Sequence, residues 1–552
     1  MKRTYNDLMF KNTFEHEYTW LNGFLRNVRR FPNQKALIDA ETKKEWTYSQ
    51  LNIEANKLAN ALQKSKIKKN DVVMGVLMNC PEFIFSYIGP RKLGAIFLAA
   101  NFKFAAGEFA LLINHNKPKV IIYSAIVSKE ITEALKIAKY KPKIIIMADN
   151  IDNKPLPKNH IAYEDFIKTA ESNEPITKAK PHIYDEVLRL CTSGTTAMPK
   201  CVPLNDINEV LTAHDVIMHY PMNSNDITLN MSPWFHRGGC HSGGPCPTFY
   251  AGGTVIAMRK FQPQNTLDWV KEFKITFLMG APANLAMICK IQEKSPRDLS
   301  SLKGLVTMGA PLTKSDCIKY MEKLCPNIFN GYGTTETFWN SFLRPYNLPD
   351  GAGSVGRSCT DDEVRVVKIY DNKKAEPEDL VLTNNNEQGE IIIKSPEKTT
   401  YTYYKNKKNE KEKFYKGWMY TGDTGTWNED FIVTVCGRKD DMIIVSGENI
   451  YPAQIEEELN LHPKVQDCIV TSVLDKIRGQ AIVAYVVPED DSLTIAELKD
   501  FCAKSKNLSQ YKKPRFFCIV ESLPFTATGK KKHYMLRQQA EEDLRNGILK
   551  KD

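Results

Sequence analysis

Residues 191–200 read CTSGTTAMPK and follow a short apolar run, Val187-Leu188-Arg189-Leu190, with the pattern of a strand. Thr192, Ser193, Thr195 and Thr196 surround Gly194, and Pro199 and Lys200 close the segment. Glycine lets backbone N–H groups face an anion, hydroxyls donate to it, and a lysine adds positive charge. A strand that ends in such a turn is suited to hold phosphate. The spacing is not that of a Walker loop, because no second glycine stands before Lys200. Gly351, Gly353 and Gly356 satisfy GxGxxG formally, but they follow Pro349-Asp350 rather than a strand. They therefore read as a structural turn and not as a dinucleotide fingerprint.

The elements that would position this loop alternate between helix and strand. Residues 48–65 place Leu51, Ala55, Leu58, Ala59 and Leu62 at helical spacing. Residues 71–77, 120–123, 144–147 and 255–258 are short apolar runs of strand type, and the alternation predicts largely parallel sheets covered by helices. Three further strand-to-loop junctions repeat the opening theme: 275–279 into Gly280-Ala281-Pro282, 305–308 into Gly309-Ala310-Pro311, and 327–329 into a loop running from Asn330 to Glu336. Ligands of open α/β sheets sit beyond the carboxyl ends of strands, so these loops are expected to share one cleft. Residues 361–427 are β-rich, with a strand at 390–393. After Gly437 a helix at 453–461, a strand at 481–487 and a helix at 493–505 predict a separate α+β domain, with its boundary at 437–441.

Composition narrows the function classes. The 552 residues exceed one ordinary domain, and 42% hydrophobic with 25% charged residues fits a soluble globular protein. The net charge of +10 favours anionic ligands only weakly over this length. The lysine-dense stretches 64–69 and 405–413 lack interleaved aromatics, so they read as solvated faces and not as nucleic-acid patches. Thirteen cysteines contain no CxxC pair, which argues against a zinc ribbon or thioredoxin site and for free thiols in a reducing cytoplasm. The segment 236–246, HRGGCHSGGPC, offers two histidines and two cysteines, but the spacing fits no standard zinc site and its glycines suggest a floppy strip. Neither terminus reads as a targeting segment, and no apolar run approaches a membrane span.

Taken in order, the motifs resemble the adenylate-forming superfamily of acyl-CoA synthetases, peptide-synthetase adenylation domains and luciferases. The phosphate loop matches that family's TSGTTG-x-PKG except that Ala197 and Cys201 replace glycines. PWFH at 233–236 resembles its aromatic gate, MGAPL at 308–312 its GGAP-type element, GYGTTET at 331–337 its YGxTE motif, YTGD at 420–423 its TGD motif, and LPFTATGKKK at 523–532 its PxTxxGK motif. His533 stands where a basic residue usually follows.

The resemblance implies a fold and a set of roles. The fold is α/β, with a large N-terminal domain (1–437) of mainly parallel sheets flanked by helices plus a small β-barrel-like part. A hinge at 438–441 about Asp440 leads to a small mobile α+β C-terminal domain (442–552). ATP would lie on Thr192, Ser193, Gly194, Thr195, Thr196 and Lys200, and on Gly309, Ala310, Pro311, Gly331, Gly333 and Thr334. Tyr332 would stack on adenine, Asp423 and Arg438 would take the ribose, Thr335 would donate to the α-phosphate, and Glu336 would hold Mg²⁺. His236 would sit at the mouth of an acyl pocket bordered by Arg237, Gly238, Gly239, Gly280, Gly309 and Gly331. Arg237 would face either a second polar group on the substrate or solvent. Lys530 would join carboxylate to α-phosphate, and Gly447 would line the passage of the incoming thiol.

The implied activity is an ATP-dependent ligation of a carboxylic acid to coenzyme A, releasing AMP and pyrophosphate. The small pocket residues imply a medium- or long-chain fatty acid or an aromatic acid. A stand-alone ligase loading a carrier-protein thiol, and a non-catalytic nucleotide-binding relative, are the alternatives. The expected partners are small molecules, with no nucleic acid and no integral membrane segment. Monomer and homodimer are both compatible with the chain.

Overall fold

The computed structural model describes residues 6–178, 180–192, 200–370, 372–445, 448–475, 479–505, 508–525 and 531–549. Their strands form four sheets. A seven-stranded sheet is built around Val72–Val76, Ile96–Ala99, Val120–Ser124 and Ile144–Ala148, all parallel. These strands are apolar runs because helices cover both faces, as buried parallel sheets require. Its last strand pair is antiparallel: Glu186–Thr192 turns back as Lys200–Asn205, which forms the edge. Pro203 is tolerated there because an edge strand can dispense with one donor.

A nine-stranded sheet has a parallel centre, Thr254–Ala257, Ile227–Asn230, Phe277–Gly280, Gly304–Met308 and Ile328–Thr334. The helix Tyr48–Lys64 packs against this body. It starts at Thr47, whose hydroxyl accepts from the Gln50 N–H while the Gln50 side chain accepts from the Thr47 N–H. Among the described residues the expected strands and helices are present with ends shifted by one or two residues, except that the strand expected at 327–329 runs on to Thr334.

One expected loop is a strand. Residues 330–334 continue Ile328–Thr334 and pair antiparallel with Phe338–Leu343. Gly333 is required there, because a Cβ would lie 1.4 Å from the Phe338 carbonyl oxygen. The 351–356 segment is a turn, with Gly353 and Gly356 at φ +91° and +72°.

A five-stranded sheet around Gly389–Lys394 and Trp418–Trp427 forms the β-rich part. A separate five-stranded sheet carries the C-terminal domain. Its Val465–Asp475 and Gly479–Pro488 pair along their whole length, flanked by the helices Pro452–Leu459, Ile495–Lys504 and His533–Arg545. Among the described residues no helix is long and apolar enough to cross a membrane.

Candidate active site

The hairpin that carries the phosphate-type loop pairs Thr192 with Lys200 and Cys191 with Cys201. Ser193, Gly194, Thr195 and Thr196 lie outside the described residues, so the hairpin ends frame the loop. Cys191 and Cys201 are joined by a disulfide with their Cα atoms 4.0 Å apart. This corrects the expectation that every cysteine is a free thiol. The two cysteines sit at opposite ends of the loop, and the antiparallel register sets them face to face. Cys201, in the place of a family glycine, is thus half of a cross-link. Peptide mapping without reductant is expected to leave Cys191 and Cys201 unalkylated while the other eleven cysteines are free thiols. Alkylation of both in the unreduced protein would contradict the cross-link.

The hairpin is docked on residues 399–404. The Tyr404 N–H donates to the Cys201 carbonyl at 2.8 Å. The buried Arg189 lies 3.5 Å from the centroid of the Tyr404 ring and pairs with Glu186 at 2.6 Å. The neighbouring Tyr403 hydroxyl donates to Glu336 Oε1 at 2.5 Å. Glu336 is therefore oriented by a phenol anchored beside the phosphate hairpin. A carboxylate with one oxygen held keeps another for a hard cation, so the residues present fit Mg²⁺.

On the far side of the cleft, the Tyr332 hydroxyl donates to Asp423 Oδ2 at 2.7 Å and Arg438 Nη1 to Asp423 Oδ1 at 2.6 Å. Asp423 and Arg438 are direct cross-strand partners. Thr334 Oγ1 lies 3.0 Å from Thr337 Oγ1 and tightens the turn that carries Thr335 and Glu336. Gly422, at φ +76°, brings its backbone close to two cations: a Cβ there would be 3.1 Å from Arg438 Nη2 and 3.3 Å from Lys413 Nζ.

Lys413 is a correction. The sequence places it in a solvated lysine run, but its amine donates to the Thr421 carbonyl at 3.1 Å, which also accepts from Arg438. Burial, with Arg438 next, pushes its pKa down, and the charges of Glu336, Lys200 and Asp423 also act on it. The Thr421 carbonyl thus brings the Lys413 amine beside the Arg438 guanidinium, which is itself paired with Asp423. Nothing in the run of lysines sets Lys413 apart, so sequence reasoning had no signal for it. Tyr403 was missed for a similar reason, since its role exists only through the docked segment.

The strip expected to border the acyl group is more closely packed than its glycines imply. His236 precedes the short helix Arg237–His241, and its ring stacks obliquely on Phe235 with centroids 4.2 Å apart. Of the five candidate glycines, Gly309 faces open space and Gly238 faces the Met308 sulfur, 3.2 Å from where a Cβ would stand. Gly280 and Gly331 make room for Met231 and the Trp339 indole. Gly239 is pressed against the Pro233 carbonyl, where a Cβ would lie at 1.9 Å. The strip is packed and not floppy.

Arg237 faces neither substrate nor solvent. It is 2% exposed, and it donates from Nη1 to the carbonyls of Thr335 and Glu336 at 2.8 and 2.9 Å. Within the same strip, His241 is tied to the buried Glu209 at 2.5 Å, and Arg91 holds that carboxylate from the other side.

In the C-terminal domain Lys530 and Gly447 lie outside the described residues. An antiparallel bridge between Phe525 and Lys531 brings the flanks of Lys530 together. Lys531 is not a loose surface lysine. It pairs with Asp467 at 2.7 Å and Glu456 at 3.3 Å. His533 bonds Glu456 at 2.7 Å, and its pKa is raised: burial would lower it, but Glu456 and Asp441 outweigh that.

A model of the family described as AMP-binding enzyme matches residues 24–404. The chain belongs to that family. A second model, the AMP-binding enzyme C-terminal domain, matches residues 454–530. The chain is thereby an adenylate-forming enzyme, of the superfamily that includes AMP-forming acid–CoA ligases. It is 28% identical to 4-coumarate–CoA ligase 1 of Solanum tuberosum, covering 95% of this chain and 93% of that one. It is equally 28% identical to a long-chain-fatty-acid–CoA ligase of Bacillus subtilis, covering 98% of each. A crystal structure of an anthranilate CoA ligase in complex with anthranoyl-AMP superposes with a TM-score of 0.86 at 24% identity, over 96% of this chain and 98% of that one.

Proposed function

We propose that this enzyme activates an apolar carboxylic acid, a medium- or long-chain fatty acid or an aromatic acid, as acyl-AMP and transfers the acyl group to coenzyme A. The observation that carries this reading is the joining of Tyr332 to the Asp423–Arg438 pair, a few residues before a Glu336 held by Tyr403, with the Lys413 amine on the Thr421 carbonyl that Arg438 also uses. A mixed set of cations and carboxylates suits a nucleotide that presents phosphates at one end and ribose hydroxyls at the other.

In the first half-reaction a carboxylate oxygen attacks the α-phosphorus of ATP. The bond to the β-phosphate bridging oxygen breaks, and pyrophosphate leaves. Two anions must meet, so positive charge at their junction is the central requirement. Lys530 supplies it, Lys200 and the loop at 192–196 hold the leaving phosphates, and Thr335 donates to the α-phosphate. Mg²⁺ held on Glu336 would neutralise charge on the phosphate oxygens. Asp423, already braced by Tyr332 and Arg438, accepts from the ribose hydroxyls, and the Tyr332 ring bears on adenine. Gly309, Ala310, Pro311, Gly331, Gly333 and Thr334 provide the backbone around the base and the acyl group. In the second half-reaction the CoA thiolate attacks the acyl carbon, AMP leaves, and a thioester forms. The C-terminal domain (442–552) turns about Asp440 within 438–441, withdraws Lys530 and presents Gly447.

Met231, Met308 and Trp339 give the acyl side apolar walls, and His236 stands at its entrance. Because both terminal nitrogens of Arg237 are engaged by the Thr335, Glu336 and Lys398 carbonyls and the Thr212 hydroxyl, its fork is not free for a second carboxylate, which disfavours dicarboxylic acids. Eleven free cysteines accord with a reducing cytoplasm, where the Cys191–Cys201 link would exchange with cellular thiols. The half-reactions are tested separately by acid-dependent exchange of labelled pyrophosphate into ATP without CoA. Exchange that needs the acid supports the reading, and exchange that ignores it opposes the reading.

Lys413 enters the same reading as a contact to the nucleotide phosphate. Lys413→Met is expected to raise the KM for ATP about tenfold, the ~1.4 kcal/mol of one charge-assisted hydrogen bond, with the KM for the acid unchanged. Steady-state kinetics with each substrate varied in turn check this.

A further inference from the structure

We infer that Arg237 is a positioning residue that fixes the Glu336 carboxylate, and through it the binding of magnesium·ATP, from the helix that borders the acyl pocket. The inference rests on the proposed role of Glu336 as the metal carboxylate.

The turn from Thr335 to Phe338 joins two strands, and it is not relaxed by itself. Phe338 has φ +61°, a left-handed conformation that a bulky side chain rarely adopts. Something outside the turn must hold it. Arg237 spans two successive carbonyls of the turn, those of Thr335 and Glu336, with one nitrogen. Its other terminal nitrogen donates to the Lys398 carbonyl at 2.7 Å and the Thr212 hydroxyl at 3.3 Å. Its guanidinium also lies 5.8 Å from the Phe338 ring centroid.

Lys398 completes the brace. It is fully buried, and its amine bonds Asp362 at 2.6 Å, Asp215 at 2.9 Å and the Trp339 carbonyl at 2.6 Å. The turn is thus held by Arg237 at 335–336 and by Lys398 at 339, and the two cations are linked through the Lys398 carbonyl.

The partners of Arg237 are carbonyls and a hydroxyl rather than a carboxylate. Burying a guanidinium on such partners is costly, and burial pushes its pKa down to about 10. A fold that keeps this arrangement gains from it the exact placement of two peptide groups. The side chain of Glu336 is then fixed from both ends, by Arg237 through its backbone and by Tyr403 through its carboxylate. Arg237 also opens the helix that follows His236, and the adjacent Gly238 faces Met308. Displacement of that helix by an acyl group therefore reaches the metal carboxylate through one side chain.

The test uses the full-length protein and the variants Arg237→Gln, Arg237→Lys and Glu336→Gln. Calorimetric titration of ATP at stepped Mg²⁺, without acid or CoA, reads the metal requirement directly, and pyrophosphate exchange reads it in turnover. Arg237→Gln is expected to raise the Mg²⁺ concentration for half-maximal ATP binding about tenfold, as loss of a group that orients a metal ligand typically does. Arg237→Lys keeps the charge but loses the fork and is expected to lie between, about threefold. Glu336→Gln is expected to shift it at least as far as Arg237→Gln. Glu336→Gln at the wild-type requirement would overturn the role of Glu336 itself. A shift in Glu336→Gln with Arg237→Lys at the wild-type value, or a change confined to the KM of the acid, would overturn the role of Arg237 alone. Should Arg237→Gln fail to fold, Arg237→Lys decides.

Discussion

Lys530→Ala is expected to slow acyl-adenylate formation by on the order of 10²–10³ while leaving ATP binding and Tm unchanged. An antiparallel bridge joins Phe525 and Lys531, the described residues nearest Lys530 on either side. Lys531 is committed to Asp467, Glu456 and the Cys468 carbonyl, the last at 2.6 Å. Burial would lower its pKa, but those two carboxylates push it up, so it stays charged and cannot stand in for its neighbour. The adjacent lysines should therefore separate cleanly. Lys530→Ala loses chemistry and keeps stability. Lys531→Ala leaves the buried Glu456 with only His533 and the Val470 N–H and loses stability first. Pyrophosphate exchange and thermal melts of the two variants check this, and equal effects on both readouts in both variants would contradict it.

The second large effect is a split between half-reactions in Asp440→Pro. Around this residue the chain passes from one body to the other. Arg438 is paired with Asp423 and Lys439 with Glu390 at 3.3 Å, both partners in the β-rich part. From the other side, Arg537 of the C-terminal helix donates to the Asp440 carbonyl at 3.0 Å, and His533 Nδ1 approaches Asp441 at 4.0 Å. Lys439–Asp441 form a 3₁₀ turn closed by the Met442 N–H, so the N–H that proline removes does not close it. The φ of a 3₁₀ turn suits proline, which would hold the segment in one conformation. Adenylation is expected to survive and thioester formation to fall by at least tenfold, the scale of a gating step that has become limiting. Rapid-quench assays of each half-reaction read the split. If both fell together, rotation about Asp440 would not be part of this enzyme's cycle.

Much of this was legible in residue order, and the reasons differ by element. The helix Tyr48–Lys64 and the strands Val72–Val76 and Val120–Ser124 announce themselves because one periodicity decides each. The GYGT stretch read as a loop because glycine is poor in strands; it is a strand because Phe338–Leu343 pairs with it. The Cys191–Cys201 link was hidden because Pro203 argues against the returning strand, which survives only as a sheet edge. Arg237 was misread because three of its four acceptors are main-chain carbonyls distant in sequence, those of Thr335, Glu336 and Lys398, which carry no residue-type signal. Glu336, Asp423 and Arg438 were picked out by the motifs they stand in, which resemble those of the family. Their partners Tyr403 and Lys413 were not, because each depends on one docked segment.

The most direct test is AMP release from ATP over a panel of fatty, aromatic and dicarboxylic acids, with and without CoA, beside Lys530→Ala. The account expects AMP only with an apolar acid plus CoA, little with dicarboxylic acids, and loss of the signal in Lys530→Ala. ATP binding without AMP release across the whole panel would contradict it and favour a carrier-protein acceptor or a non-catalytic nucleotide binder.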